Sequence, residues 1–439
     1  MKRLVCVALC LVISALGFSG CNFMLGETDS LLRSPEPQGK LGEISEALKS
    51  AVNRSFTLKT PKYGDWRTAF VMWDMDGDDT EEALAFYSVA NDENGSVLHM
   101  SIINDEKDDW KVQGDFALGG TDIERIEFGD LNGDGKDEVA VAWSIYGAPE
   151  TRLTILSPAA EDTLPMYEGS YTDFCIYDVT VDSKGDELFL ITTDIHDKTT
   201  RCSLFYGDDK LHEATSVALG GSVASVKKFH KTEIAGSPAL FIDAVTNEGG
   251  YFTEIVVVNG TTLSAPLSQS GGKANIITGR YQSLTCGDVN GDKGLEIPCM
   301  TVLPNGGNID GTLYLTEWKS FDGSKLVTAE TSVISKLMQY KLKVDPAWQG
   351  RFTCVYSGEN DGMDVYTYNA RKSLQKKILS LEAIPKENLK KFSTKDKFVL
   401  EENDKTVYLG KIHQKNNKLG ITEESVKLAF SQKITEGTK

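Results

Sequence analysis

Cysteine is scarce and irregularly placed. Of eight in 439 residues, Cys6, Cys10 and Cys21 fall near the start, which leaves Cys175, Cys202, Cys286, Cys299 and Cys354. An odd, sparse set with no Cys-x-x-Cys pair excludes a disulfide framework. Cys286 and Cys299 flank a charged loop and either face each other across a hairpin or remain buried thiols. Histidine is equally thin: His99, His196, His212, His230 and His413 are scattered, none at a metal-ligand spacing. No Gly-x-Ser-x-Gly elbow and no phosphate-binding glycine loop occurs. Beyond the first twenty residues no apolar run is long enough to span a bilayer. With no catalytic constellation in the linear sequence, the chain is expected not to be an enzyme.

Positive charge is also short. The formal net charge is −18, but from Ser335 to the end 20 Lys and Arg face 13 Asp and Glu, so that stretch carries +7 and residues 1–334 carry −25. The acidic body argues against nucleic acid as a partner and suits divalent cations. The shift predicts a domain boundary near residue 335.

What is present begins with a leader. Lys2-Arg3 precede an apolar run from Leu4 to Phe18 that ends in Phe18-Ser-Gly-Cys21. This resembles a bacterial lipoprotein signal, which implies removal of residues 1–20 and lipidation of Cys21. The polar stretch 21–40, with Pro35 and Pro37, reads as a tether to a folded body outside the cytoplasm, on a cell membrane.

The body is a set of alternating apolar runs broken by one repeated loop. In Phe128-Gly-Asp130-Leu-Asn132-Gly-Asp134-Gly-Lys136-Asp-Glu138, oxygen side chains fall at positions 1, 3, 5 and 9 between two strand-like segments. Asp74, Asp76, Asp78 and Glu82 repeat the pattern, as do Asp288, Asn290, Asp292 and Glu296. Such a set of hard oxygen donors suits calcium. A weaker copy at Asp178, Asp182 and Asp186 has Thr180 at position 3. An EF-hand needs an acid at position 12 and a following helix; here that position is Ala85, Val141 or Cys299, and strands follow. Spacings between first aspartates are 56, 48 and 110 residues, the last about twice the others. A fourth unit keeps its strands (223–229, 239–245, 253–258) without the acid loop. Units of about fifty residues with four short strands mark a β-propeller.

These loops and strands resemble the FG-GAP/VCBS repeats of integrin-α-like propellers over roughly residues 65–330. The resemblance implies a mainly β fold: a propeller of about five four-stranded blades over 41–334, or seven if the rest joins it, followed by a small α+β domain at 335–439. It implies structural calcium and a monomeric, surface-anchored binding or scaffold protein with a protein or glycan partner. The alternative is an extracytoplasmic polysaccharide-active enzyme or its accessory subunit. Helices are expected at 44–52 and 422–430, the latter opened by a capping threonine and acids in its first turn.

Overall fold

The computed structural model describes residues 38–435 apart from 92–94, 108, 149, 159–164, 180–184, 270–272, 305–312, 359, 370 and 372. The expected leader, Cys21 and most of the tether lie outside the described residues.

The chain is mainly β, and its described residues form six antiparallel sheets that follow one another in sequence. The first contains Phe70–Trp73, Glu82–Asn91, Gly95–Asp105 and Trp110–Ala117, with Phe56–Leu58 added beside the second strand. The second contains Asp122–Gly129, Glu138–Ser144, Thr151–Leu156 and Tyr167–Ser170. The third contains Asp173–Tyr177, Glu187–Asp194, Thr199–Tyr206 and His212–Ala218; the fourth contains Val223–Ile234, Ser237–Thr246, Tyr251–Asn259 and Thr262–Ser264. In the fifth, the first strand is reduced to a bridge between Gly287 and Glu296 beside Ile297–Val302, Tyr314–Phe321 and Leu326–Ile334. The sixth contains Phe352–Tyr356, Met363–Asn369, Ser373–Pro385, Thr406–Ile412 and, at its edge, Phe398–Glu402.

The sheets stack because their strands are apolar on both faces. Successive strand residues point to opposite sides. In Glu138–Ser144, Val139 and Val141 join a core with the first sheet's Leu84 and Phe86. Ala140 and Ala142 join one with the third sheet's Leu188 and Leu190. Phe189 and Ile191, one step along, face the fourth sheet's Leu240 and Ile242. Each valine, leucine, isoleucine or phenylalanine among them contributes roughly 1.5–3 kcal/mol on burial and each alanine about 0.8 kcal/mol, and one strand serves two cores. The array's two outer faces are covered locally. Helix α1 (Lys40–Val52) lays Ile44 and Leu48 on Ala83, Ala85 and Tyr87 of the first sheet. Leu389 and Phe392 cover Ile384, Val407 and Leu409 of the sixth.

Two further helices are short. Helix α2 (Ala274–Ile277) lies between the fourth and fifth sheets, and α3 (Glu423–Ala429) starts at a capping box in which Thr422 and Ser425 exchange side-chain to backbone hydrogen bonds. The expected α+β domain is not found as a separate body. Lys341–Lys343 adds to the fifth sheet beside Leu326–Ile334, and Phe430–Ser431 returns to pair with it. Leu303, Leu313, Leu315 and Val333 share one core with Tyr340, Leu342, Phe352, Val365 and Phe430. The charge shift at residue 335 is a property of exposed positions, whereas the core of Leu315 and Val333 continues across it into Tyr340, Leu342 and Val344.

Truncation after Ile334 therefore uncovers a shared core. The expected result is a fragment that is aggregated or melts well below the full chain in circular dichroism. A fragment that melts at the temperature of the full chain would contradict this packing.

Candidate metal centres and the glutamates beneath them

In the first five sheets the turn from first to second strand lies at one rim, and the connections from second to third strand lie at the other. Neighbouring sheets are aligned. At the first rim the amide of Asp137 donates to the Met75 carbonyl at 2.7 Å, and that of Asp186 to the Asp130 carbonyl at 2.6 Å. At the other, the amide of Val226 donates to Asp173 and the hydroxyl of Thr193 to the Val223 carbonyl.

Each acid loop curls around its first aspartate. Asp130 Oδ1 accepts the amides of Gly133 (2.7 Å) and Asp134 (3.1 Å), and Oδ2 that of Gly135 (3.0 Å). Asp74 does the same for Gly77, Asp78 and Asp79, and Asp288 for Asn290, Gly291 and Lys293. Gly133, Gly135, Gly77 and Gly291 sit at positive φ, where glycine carries no steric penalty. Burial opposes ionisation of Asp288, but the amides of Lys293, Gly291, Asn290 and Asp292 outweigh it and hold its pKa below the usual carboxylate range.

Beneath each loop, at the start of the second strand, lies a glutamate at most 6% exposed. Glu82 Oε2 accepts the Met75 amide at 2.8 Å, Glu138 the Leu131 amide at 2.9 Å, and Glu296 the Val289 amide at 3.1 Å. The third sheet has the same clamp: Glu187 Oε2 accepts the Val179 amide at 2.7 Å. That loop is one residue longer, so aligning it on its first aspartate pointed to Asp186 instead. Asp182 lies outside the described residues. Aligning on the acid that opens the apolar second strand would have found Glu187.

Burial pushes the Glu138 carboxyl up to about 7; the Ser157 hydroxyl and Leu131 amide offset it in part, and Asp134 and Asp130 add to it. Glu82 and Glu296 are raised for the same first reason, with the loop aspartates adding to it. A buried carboxylate with only neutral donors is under-compensated.

The loops differ in how far their acids converge. One oxygen from each of Asp74, Asp76 and Asp78 lies within 4.8 Å of the others, and likewise for Asp288, Asp292 and Glu296. Glu82 is not in the first group; it is turned to Met75. Asp130, Asp134 and Glu138 form no such group among the described residues. Both Glu138 oxygens are engaged there, by the amides of Leu131 and Asn132 and by Asn132 Nδ2. The Asn132 side-chain oxygen accepts the Asp134 amide. A hard cation fits best in the fifth sheet, where Glu296 Oε1 is buried with no hydrogen-bond partner.

The fourth sheet turns at Ala235-Gly236 with no acid loop. It meets the fifth through a buried network instead. Asp243 accepts from Arg280 Nη2 (2.8 Å), the Thr253 hydroxyl (2.6 Å) and the Cys286 amide (2.7 Å), and pairs with His230 Nε2 (2.8 Å). Burial works against the Asp243 charge, but His230 and Arg280 more than offset it, so its pKa is lowered. With Arg280 as its counter-charge, the His230, Asp243 and Cys286 cluster is an ion-pair junction. Burial pushes the thiols of Cys286 and Cys299 up, and both are free, as are Cys175, Cys202 and Cys354.

No family model matches the chain, and no curated protein does. Solved structures similar to it include the exotype rhamnogalacturonan lyase YesX, at 12% identity over 74% of this chain and 65% of that one, with a TM-score of 0.29. An exo-β-1,3-galactanase from Phanerochaete chrysosporium is 10% identical over 76% of this chain and 71% of that one, at 0.25. The Dos1 propeller is 11% identical over 63% and 69%, also at 0.25. The chain thus spans 65% of the length of that lyase. Likeness at these scores assigns no chemistry to this chain. The expectation of a non-enzyme is nonetheless corrected: it rested on the lack of a linear motif, and a catalytic constellation is set by geometry and not by sequence position; the similar structures include a lyase and a galactanase.

Replacing Glu138 with alanine leaves the buried Leu131 amide without its acceptor. The expected cost is about 1–3 kcal/mol in urea denaturation with chelator present. Asp78→Ala, which removes only an exposed acceptor for the Thr80 amide, is expected to cost less than about 1 kcal/mol. Equal costs would contradict the clamp.

Proposed function

We propose that this chain is a cation-braced β-propeller that engages polysaccharide, as a polysaccharide-active enzyme or its accessory subunit. Propeller packing is supported by sheets that share cores through both faces and align rim to rim. Calcium is the proposed brace, held by Asp74, Asp76 and Asp78 in the first loop, by Asp130, Asn132 and Asp134 in the second, and by Asp288, Asn290, Asp292 and Glu296 in the fifth. Glu82 and Glu138 lie directly under these donors. When bound, the ion supplies the positive charge that the buried glutamates lack.

One observation carries the polysaccharide reading. The rim opposite the acid loops gathers large exposed apolar side chains from successive sheets. Tyr146 (89% exposed) and Ile145 stand after the second strand of the second sheet. Ile195 stands after that of the third, and Val302 ends that of the fifth. Ile276 of α2 and Tyr281 (72% exposed) fill the place between the fourth and fifth sheets, where Tyr251 bridges Arg280. Apolar side chains gathered on one exposed face mark an interaction surface. Tyrosine offers a flat apolar body with a polar tip, which suits a sugar ring with its apolar face and hydroxyl edge.

Tyr146→Ala combined with Tyr281→Ala is expected to weaken retention on immobilised polysaccharide by about tenfold or more, each ring contributing on the order of 1 kcal/mol. The melting temperature should stay unchanged, because both side chains are exposed. Release of new reducing or unsaturated ends during incubation would favour an enzyme over an accessory subunit. If no polysaccharide in a broad panel is retained by the unaltered chain, the reading fails.

A further inference from the structure

Asparagine followed by glycine forms turns and is also chemically labile. The glycine nitrogen attacks the asparagine side-chain carbonyl carbon, and no side chain on the glycine blocks the approach. A nitrogen–carbon bond forms, the side-chain amide leaves as ammonia, and water opens the resulting five-membered imide to aspartate or isoaspartate. Five such pairs occur in the chain, beginning at Asn94, Asn132, Asn259, Asn290 and Asn305. Asn94 and Asn305 lie outside the described residues.

The other three are held very differently. In the second sheet's loop the attacking nitrogen, that of Gly133, donates its proton to Asp130 Oδ1 at 2.7 Å. The Asn132 side chain is pinned at both ends: Oδ1 accepts the Asp134 amide at 2.8 Å and Nδ2 donates to Glu138 at 3.0 Å. The fifth sheet's loop repeats this. The Gly291 amide donates to Asp288 Oδ1 at 2.7 Å, Asn290 Oδ1 accepts the Asp292 amide at 3.0 Å, and Nδ2 donates to Asp292 Oδ2 at 2.8 Å. An amide nitrogen bonded to a carboxylate is a poor nucleophile, because it must shed its proton beside a negative charge that opposes the loss. Asn259 and Gly260 instead form an exposed turn between Tyr251–Asn259 and Thr262–Ser264 of the fourth sheet. Among the described residues neither the Gly260 amide nor Asn259 Nδ2 has a hydrogen-bond partner, and Asn259 Oδ1 accepts only the Ser237 hydroxyl, at 3.3 Å. We propose that Asn259 is a deamidation site and that Asp130 and Asp288 shield Asn132 and Asn290 from the same reaction. Isoaspartate at either shielded position would insert a methylene into the backbone of a curl that the first aspartate and the buried glutamate hold closed.

The test is peptide mapping by mass spectrometry of the full chain aged in mildly alkaline buffer with chelator, folded or unfolded in urea. In the folded chain Asn259 is expected to convert, with Asn132 and Asn290 at least about tenfold slower, the effect of breaking one charge-assisted hydrogen bond on the way to the barrier. In urea the three should convert within a few-fold of one another. Asp130→Ala, which frees the Gly133 amide, should speed conversion of Asn132 in the folded chain and leave Asn290 slow. If circular dichroism shows that variant to be unfolded, the comparison of folded and urea-unfolded chains decides alone. Conversion of Asn132 or Asn290 as fast as Asn259 in the folded chain would overturn the inference. So would a difference that persists in urea, since it would then belong to the local sequence, or a folded Asp130→Ala chain in which Asn132 stays slow.

Discussion

A carboxylate buried under each acid loop is the constraint on which the hairpins depend. Glu82, Glu138, Glu187 and Glu296 are removed from water, and a carboxylate in that position must be satisfied from within. Each accepts the amide of the residue that follows the loop's first aspartate. The first aspartates of three loops in turn accept amides from the glycine-containing curl. The hairpin geometry is thus fixed at two points, one buried and one at the surface. Links from Asp137 to Met75 and from Asp186 to Asp130 then carry the arrangement from one sheet to the next. Where the fourth sheet drops the loop, the Arg280–Asp243 pair joins it to the fifth, supplying by a guanidinium the counter-charge that the loops leave wanting.

Rigid hairpins at one rim leave the other free to vary. Strand alternation sends Val139 and Val141 to one neighbour and Ala140 and Ala142 to another, so the stack is held by shared cores. In the second, third and fourth sheets the connections from second to third strand contribute no side chain to those cores, whereas Leu303 and Leu313 of the fifth do. Tyr146 and Ile195 are thus presented to solvent without cost to the packing. Division of labour between rims follows: acids and their clamps at one, exposed apolar side chains at the other.

Much of this was legible in the sequence. The period-2 alternation placed most strands, the loop template located the hairpin turns, and Thr422 marked the start of α3. Three features were not legible. Glu187 was hidden by a one-residue insertion that broke the fixed spacing. The junction of residues 335–439 with the fifth sheet was masked because surface charge changes where the core does not. The Arg280–Asp243 network joins residues 37 positions apart with no motif to announce them. Pairings of that kind are set by tertiary geometry, and spacing rules read only local geometry.

Buried glutamates lock the loop amides, and we propose that a bound cation completes the lock. The decisive measurement is hydrogen–deuterium exchange at Met75, Leu131, Val179 and Val289, with calcium and with chelator. Slow exchange of all four amides is expected in chelator, relative to exposed loop amides such as those of Asp79 and Gly135, with further slowing by calcium in the first, second and fifth loops. Exchange of these four as fast as the exposed loop amides would contradict the clamp, and rates indifferent to calcium would contradict the cation's part in it.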